Sequence, residues 1–213
     1  MGLFNRTKKA PVATEGTKVV EDLLVDEPST VMEDISGDYT LDPSHTRLGF
    51  SARHAMVTKV RGQFTDFEGT AHVDTANPAA SSVKVVINAD SVSTGSAQRD
   101  AHLRNEDFFE VDKHPQITFV STNVERDGHE WDITGDLTIA GVTKPVTIEF
   151  EETGSAKDAF GNTRVGFEGD TTIDRTEWGL TFNAPLETGG VMVSDRIKLE
   201  FDISAIAQVP ADA

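Results

Sequence analysis

The residues best suited to chemistry in this chain are its six histidines, His45, His54, His72, His102, His114 and His129. None stands in an HxH, HExxH or i,i+4 arrangement, so their spacing outlines no zinc or iron site, and no metal is expected. The chain has no cysteine, which removes thiol nucleophiles, disulfide scaffolds and thiolate metal ligands together. His45 lies beside Ser44 and Asp42 in DPSHT, the three residue types of a hydrolytic relay. Neighbours along an extended segment point to different faces, so no relay is expected there. A GxSxG elbow, a glycine-rich phosphate loop and a dinucleotide fingerprint are all missing. Two features are left. His54 ends an apolar alternation and would place a polar tip inside a greasy chamber, or stand as a satisfied rim histidine. Arg99 and Asp100, adjacent in QRDAHLR, could meet a phosphate or carboxylate head group. Their plainer reading is a helix-surface ion pair or cap. No catalytic residue is expected.

The elements that position these residues read as strands. Leu48, Phe50, Ala52 and His54 share one face, as do Phe67, Gly69, Ala71 and Val73, and then Val83, Val85, Ile87 and Ala89. The same period of two recurs from Ile117 to Ser121, from Trp131 to Ile139, from Val146 to Phe150, from Val165 to Ile173 and from Ile197 to Ile203. At least eight strands are implied. Turn signals such as Asn77-Pro78, Asp127-Gly128, Gly161-Asn162 and Gly189-Gly190 separate them, so sequential antiparallel hairpins follow. Residues 96–107 alone show helical spacing, behind a Ser96 that could cap the turn. The fold expected is all-β, an up-and-down barrel of about eight strands with one or two short helices across an end. Such a barrel is either filled by side chains or holds one small ligand. The inward positions mix Phe50, Phe119, Trp131 and Phe167 with Gly69, Gly135 and Gly169. Small residues leave volume unfilled, but strand glycines also mark bulges and bends, so spacing leaves cavity and packed core equally open.

With 213 residues the chain has room for one such domain and little else. Its formal charge of −17 repels nucleic acid over most of the surface, and no nucleic-acid partner is expected. Residues 1–37 are polar and read as a disordered leader, in which 19–25 could form a short docking turn. Residues 206–213 read as a disordered tail. The N-terminus lacks the apolar run of a secretory signal, and Arg6 misses the myristoylation pattern, so a cytoplasmic location is expected.

Several segments taken together resemble the YceI family of lipocalin-like, polyisoprenoid-binding bacterial proteins. They are YTLDPSHTRLGFSARH (39–54), VRGQFTDFEGTAHVD (60–74), the RDAHL…DFF…HPQITF run within 90–122, GDLTIAGVTKPVTIEF (135–150) and IDRTEWGL (173–180). They occur in the family's order and cover essentially all of residues 38–205. The resemblance implies an extended barrel whose apolar tunnel holds a long isoprenoid chain, with the polar head near the mouth. Quinones or fatty amides replace it in some members, and members are often dimers. Carried over position by position, the tunnel lining falls on Phe50, Ala52, His54, Phe64, Phe67 and Phe108. It continues with Phe109, Phe119, Leu137, Ile139, Phe167, Trp178 and Phe182, and the head-group candidates are His54, Arg99 and Asp100. Trp178 replaces a phenylalanine usual in the family and would shorten the tunnel or repack its wall. The resemblance implies a non-catalytic lipid carrier with no cofactor beyond the bound lipid, and with transient membrane contact. Two other readings remain open: a lipid-modifying enzyme using His54, Arg99 and Asp100, and a packed barrel that recruits a protein partner.

Overall fold

A computed structural model describes residues 34–187 and 189–208. The leader reading of residues 1–33, with its 19–25 turn, lies outside the described residues. Eleven strand segments are present: β1 (Gly37–Leu41), β2 (Arg47–His54), β3 (Thr58–Phe64), β4 (Phe67–Val73), β5 (Ser82–Asn88), β6 (Val92–Ser93), β7 (Gln116–Asp127), β8 (Glu130–Ile139), β9 (Val142–Lys157), β10 (Thr163–Asp174) and β11 (Arg196–Ala207). One helix, α1 (Ala97–Arg104), lies between β6 and β7. β1 and β2 both pair with β11, β3 pairs with β2 and β6, and β4 pairs with β1 and β5. The first six segments are therefore halves of three bent staves. With β7 to β11 they make an eight-stave antiparallel meander that closes where β1 meets β11. Closure removes the free edges that an open sheet of this size would expose.

The hairpins follow local chemistry. Ile139 pairs with Val142 across Ala140-Gly141, whose φ values of +47° and +78° match the twist of a two-residue turn. Asp127 pairs with Glu130 across another two-residue turn, with Gly128 at +65°. The boundaries move outward from those expected. Ile206 and Ala207 continue β11 rather than beginning a tail, and Gln208 donates its N–H to the Asp38 carbonyl. Ile35 is buried, and its carbonyl accepts from the Tyr39 hydroxyl at 2.8 Å.

The break between β1 and β2 corrects the reading of DPSHT. Pro43 has no N–H to continue the ladder, so the segment turns instead of extending. The turn brings the three side chains together. Asp42 Oδ1 accepts from the Ser44 hydroxyl at 2.6 Å, and His45 Nδ1 lies 2.6 Å from Asp42 Oδ2 and 3.0 Å from Ser44 Oγ. Both partners meet the same ring nitrogen, whereas a relay needs the serine on the opposite one, so the cluster does not activate a nucleophile. It ties the break to β10: Arg164 donates to Asp42 at 2.5 Å and to Asp158 at 2.8 Å. Hydrogen bonds from Ser44 and Arg164 hold the Asp42 carboxyl well below the usual carboxylate range. Asn162 and Arg164 do the same for Asp158, and Ser36 and Thr75 bring Asp34 to about 2.

These carboxyls bind protons less readily in the folded chain than in the unfolded one, so stability rises with pH through their titration. The contribution is complete above the ordinary value of 3.8 and is lost as pH falls from there towards 2 and below. Urea midpoints measured from pH 6 down to pH 2 should stay level and then drop below about pH 4. Asp42→Asn should give a lower plateau and a shallower drop; an unchanged profile would remove Asp42 from this account.

Candidate functional site

The inward faces of the staves enclose a cavity of about 260 Å³ whose accessible wall is entirely apolar. It owes its existence to the strand glycines, which are neither empty volume nor bulges. A side chain at Gly62 would collide with the Phe50 ring, one at Gly135 with Phe119 and one at Gly169 with Phe150. Each ring lies flat over a glycine on the neighbouring strand, against the wall rather than across the lumen.

One end of the barrel is closed by charge as well as by packing. Thr122 is the extra residue of a bulge in β7, which shifts the inward positions from Ile117 and Phe119 to Val124 and Arg126. Glu152 ends the inward series Val146, Ile148, Phe150 on β9. Arg126 and Glu152 meet at 3.0 Å with side chains only 7% and 2% exposed. The Trp131 indole N–H donates to Glu152 at 3.1 Å, and the Arg126 guanidinium lies 4.7 Å from the Trp131 ring centre. Trp131 meets Phe167 edge to face at 6.0 Å. Trp131 and Phe167 form the cavity floor, with the ion pair beside it. The alternation of β7 stops being readable at the bulge, so sequence reasoning missed Arg126; it missed Glu152 because an inward carboxylate needs a partner that only closure supplies.

The opposite end carries α1 and the segment 175–195. Leu103, Phe108 and Phe109 line the cavity from the helix side, and Trp178, Leu180 and Val193 from the other. Trp178 is buried and donates its indole N–H to the Leu137 carbonyl at 3.0 Å. Arg175 also lines the cavity, but its guanidinium is committed to the Leu180 carbonyl, to the Ser194 carbonyl at 3.1 Å and to Asp195 at 3.0 Å. It fixes the segment and leaves only carbon facing the lumen.

Of the lining expected from the sequence, Phe50, Ala52, Phe64, Phe108 and Phe109 face the cavity. So do Phe119, Leu137, Ile139, Phe167 and Trp178. Phe67 is buried in the core behind the wall. Phe182 sits beside the mouth, stacked on His102 at 4.8 Å and Phe108 at 5.4 Å. His54 is corrected: the last residue of β2, it pairs with Val193 and is exposed, because the strand runs past the rim before its alternation ends. Arg99 and Asp100 are corrected as well. Asp100 is buried and accepts from the Thr94 N–H at 2.8 Å and the Thr94 hydroxyl at 2.5 Å. Exposed Arg99 donates to the Thr94 hydroxyl at 2.7 Å and carbonyl at 2.9 Å. The pair anchors the start of α1, where Ser96 makes no side-chain cap. Among the described residues no group of three or more histidine and carboxylate side chains could hold a metal. No described helix is long and apolar enough to cross a membrane.

The model of the YceI-like domain matches residues 39–205. Protein YceI of Shigella flexneri is 45% identical over 148 residues, 68% of this chain and 78% of that one. A UPF0312 protein of Pectobacterium atrosepticum is 42% identical over 149 residues, 69% and 78% of the two chains. Among solved structures, BcnA of Burkholderia cenocepacia shares the fold at a TM-score of 0.68 and 22% identity, over 77% of this chain and 98% of that one. The YceI protein of Campylobacter jejuni aligns at 0.64 and 31%, over 74% and 90%. A polyisoprenoid-binding domain from Saccharophagus degradans aligns at 0.60 and 18%, over 80% and 98%. A matched domain spanning the whole barrel, relatives at 45% identity and a shared eight-stave fold lead to one assignment: the chain belongs to the YceI-like family.

Proposed function

We propose that the barrel binds and carries a long-chain isoprenoid-type lipid, a polyprenyl phosphate or a quinone-like molecule, with its tail in the lumen and its head at the α1 end. The observation that supports this most strongly is the apolar wall: a cavity of about 260 Å³ with no polar atom on its surface suits a hydrocarbon tail and offers nothing to a head group. Each buried methylene-sized group contributes roughly 0.8 kcal/mol, so affinity grows with tail length and needs few polar contacts. The floor is closed by Trp131 and the buried ion pair, which leaves the α1 end for the head. The likeness to a polyisoprenoid-binding domain agrees with this ligand class. A binding rather than catalytic role is supported by the same wall, because no acid, base or nucleophile presents a polar atom to the lumen. The catalytic trio weighed from the sequence is also dispersed, His54 to the rim and Arg99 and Asp100 to Thr94.

Native mass spectrometry of freshly purified protein, followed by organic extraction, tests the proposal. The expected result is an added mass that extracts as an isoprenoid lipid or quinone. A bare chain that also takes up no added prenyl lipid or quinone would overturn it.

A further inference from the structure

We infer that the β2–β3 turn and the outer face beside it form a docking surface for an anionic bilayer, placed at the rim of the lipid cavity. The inference rests in part on the carrier reading, since the bilayer is where the lipid would be exchanged.

The turn, Ala55-Met56-Val57, exposes the largest apolar side chains at this end, with Met56 at 56% and Val57 at 78%. Ala55 and Met56 also adopt φ values of +51° and +60°, a left-handed backbone that asparagine or glycine would occupy at less cost. Two unfavourable choices therefore coincide at one tip, and an environment that accepts Met56 and Val57 would offset both. The tip is fastened to the cavity rim: the Ala55 N–H donates to the Met192 carbonyl at 2.8 Å, and His54 bridges Val193. Val193 and Ala52, two residues before His54, both line the cavity.

The surrounding charge has the matching sign. Residues 43–65 contain no aspartate or glutamate, where the chain average would place about four. The outward positions of β2, β3 and β11 bring together Arg53, Lys59, Arg61, Arg196 and Lys198. Lys59 pairs with Glu200 and Lys198 with Asp170, whereas Arg53, Arg61 and Arg196 pair with no carboxylate among the described residues. Asp195, next in the chain to Arg196, is held by Arg175, which leaves Glu187 as the exposed acid of the adjoining segment. Over a Debye length of about 8 Å at physiological salt, an approaching bilayer meets these cations and not the distant acidic faces. An apolar tip ringed by arginine and lysine suits a headgroup layer over hydrocarbon. Two exposed side chains are too little for a stable dimer, which needs about 800 Å² from each partner.

Flotation of the full chain with vesicles tests this, comparing phosphatidylcholine alone with phosphatidylcholine containing about a third phosphatidylglycerol. Binding is expected only with the anionic vesicles and should weaken as salt is raised. Removing a membrane-facing cation costs about fivefold, so Arg61→Glu with Arg196→Glu should cost at least about 25-fold. Met56→Asn with Val57→Asp relieves the left-handed strain and should weaken binding as well. Equal binding to both vesicles, no binding to either, or variants that bind like the parent chain would overturn the inference. So would a dimer in solution that the tip variants dissociate, which would assign the tip to a second copy. Uptake of a long-chain quinone from detergent is measured on the same samples. Lost docking with retained uptake supports the inference, whereas normal docking without uptake in the parent chain would leave the surface standing and remove the carrier reading.

Discussion

Arg126→Met is expected to destabilise the barrel by about 3–5 kcal/mol, because it leaves the Glu152 carboxylate buried without its cation. The Trp131 indole would remain as a partner, but one neutral donor does not replace a guanidinium. Urea denaturation at neutral pH measures the loss. A domain of this size has roughly 5–15 kcal/mol to lose, so the variant could fail to fold. Glu152→Gln provides a second measurement, since it keeps an acceptor for Trp131 while leaving Arg126 buried and unpaired. Arg126→Met combined with Glu152→Leu should recover most of the stability, because both charges leave the interior together. If the double variant loses as much as the two single variants summed, the residues are uncoupled and the floor is not held by the pair.

Filling the lumen should have the second large effect, on binding rather than folding. Ile133 projects into the cavity midway along β8, opposite Val124 on β7 and Ile148 on β9. Ile133→Trp would occupy the space between the Trp131 floor and the Phe119 level. Each five-carbon isoprene unit excluded removes about 3–4 kcal/mol of apolar transfer, or 10²–10³ in affinity. For the parent chain, affinity for a series of prenyl alcohols should climb with tail length until the lumen is full. In Ile133→Trp the climb should stop at a shorter tail, with thermal stability little changed because a void is being filled. Val85→Phe, on another stave of the wall, is the alternative should tryptophan prevent folding. A variant that binds long tails as tightly as the parent chain would place the lipid outside this cavity.

Alternation determined which face of each stave is wet and which is dry, because side chains on a strand reverse every residue whatever the strand pairs with. Trp131, Ile133, Gly135, Leu137 and Ile139 all point inward as their spacing requires, and Ala140-Gly141 makes its tight turn from two residues that match the twist. Most of the tunnel wall was legible in the sequence for that reason. The period is blind, however, to where a stave ends or breaks. β1, β3 and β6 went unread, and His54 was carried past the rim, since only closure of β1 onto β11 sets the height of the barrel. The polar contacts were hidden by the same limit. Asp42 meets Arg164 across 122 residues, and Arg126 turns inward only through a bulge opposite β8. Sequence alone thus determined the fold class and the greasy lining, which depend on local periodicity. The tertiary structure decided which charges are buried, which end is closed and that the lumen is open, because each depends on the register between strands far apart in the chain.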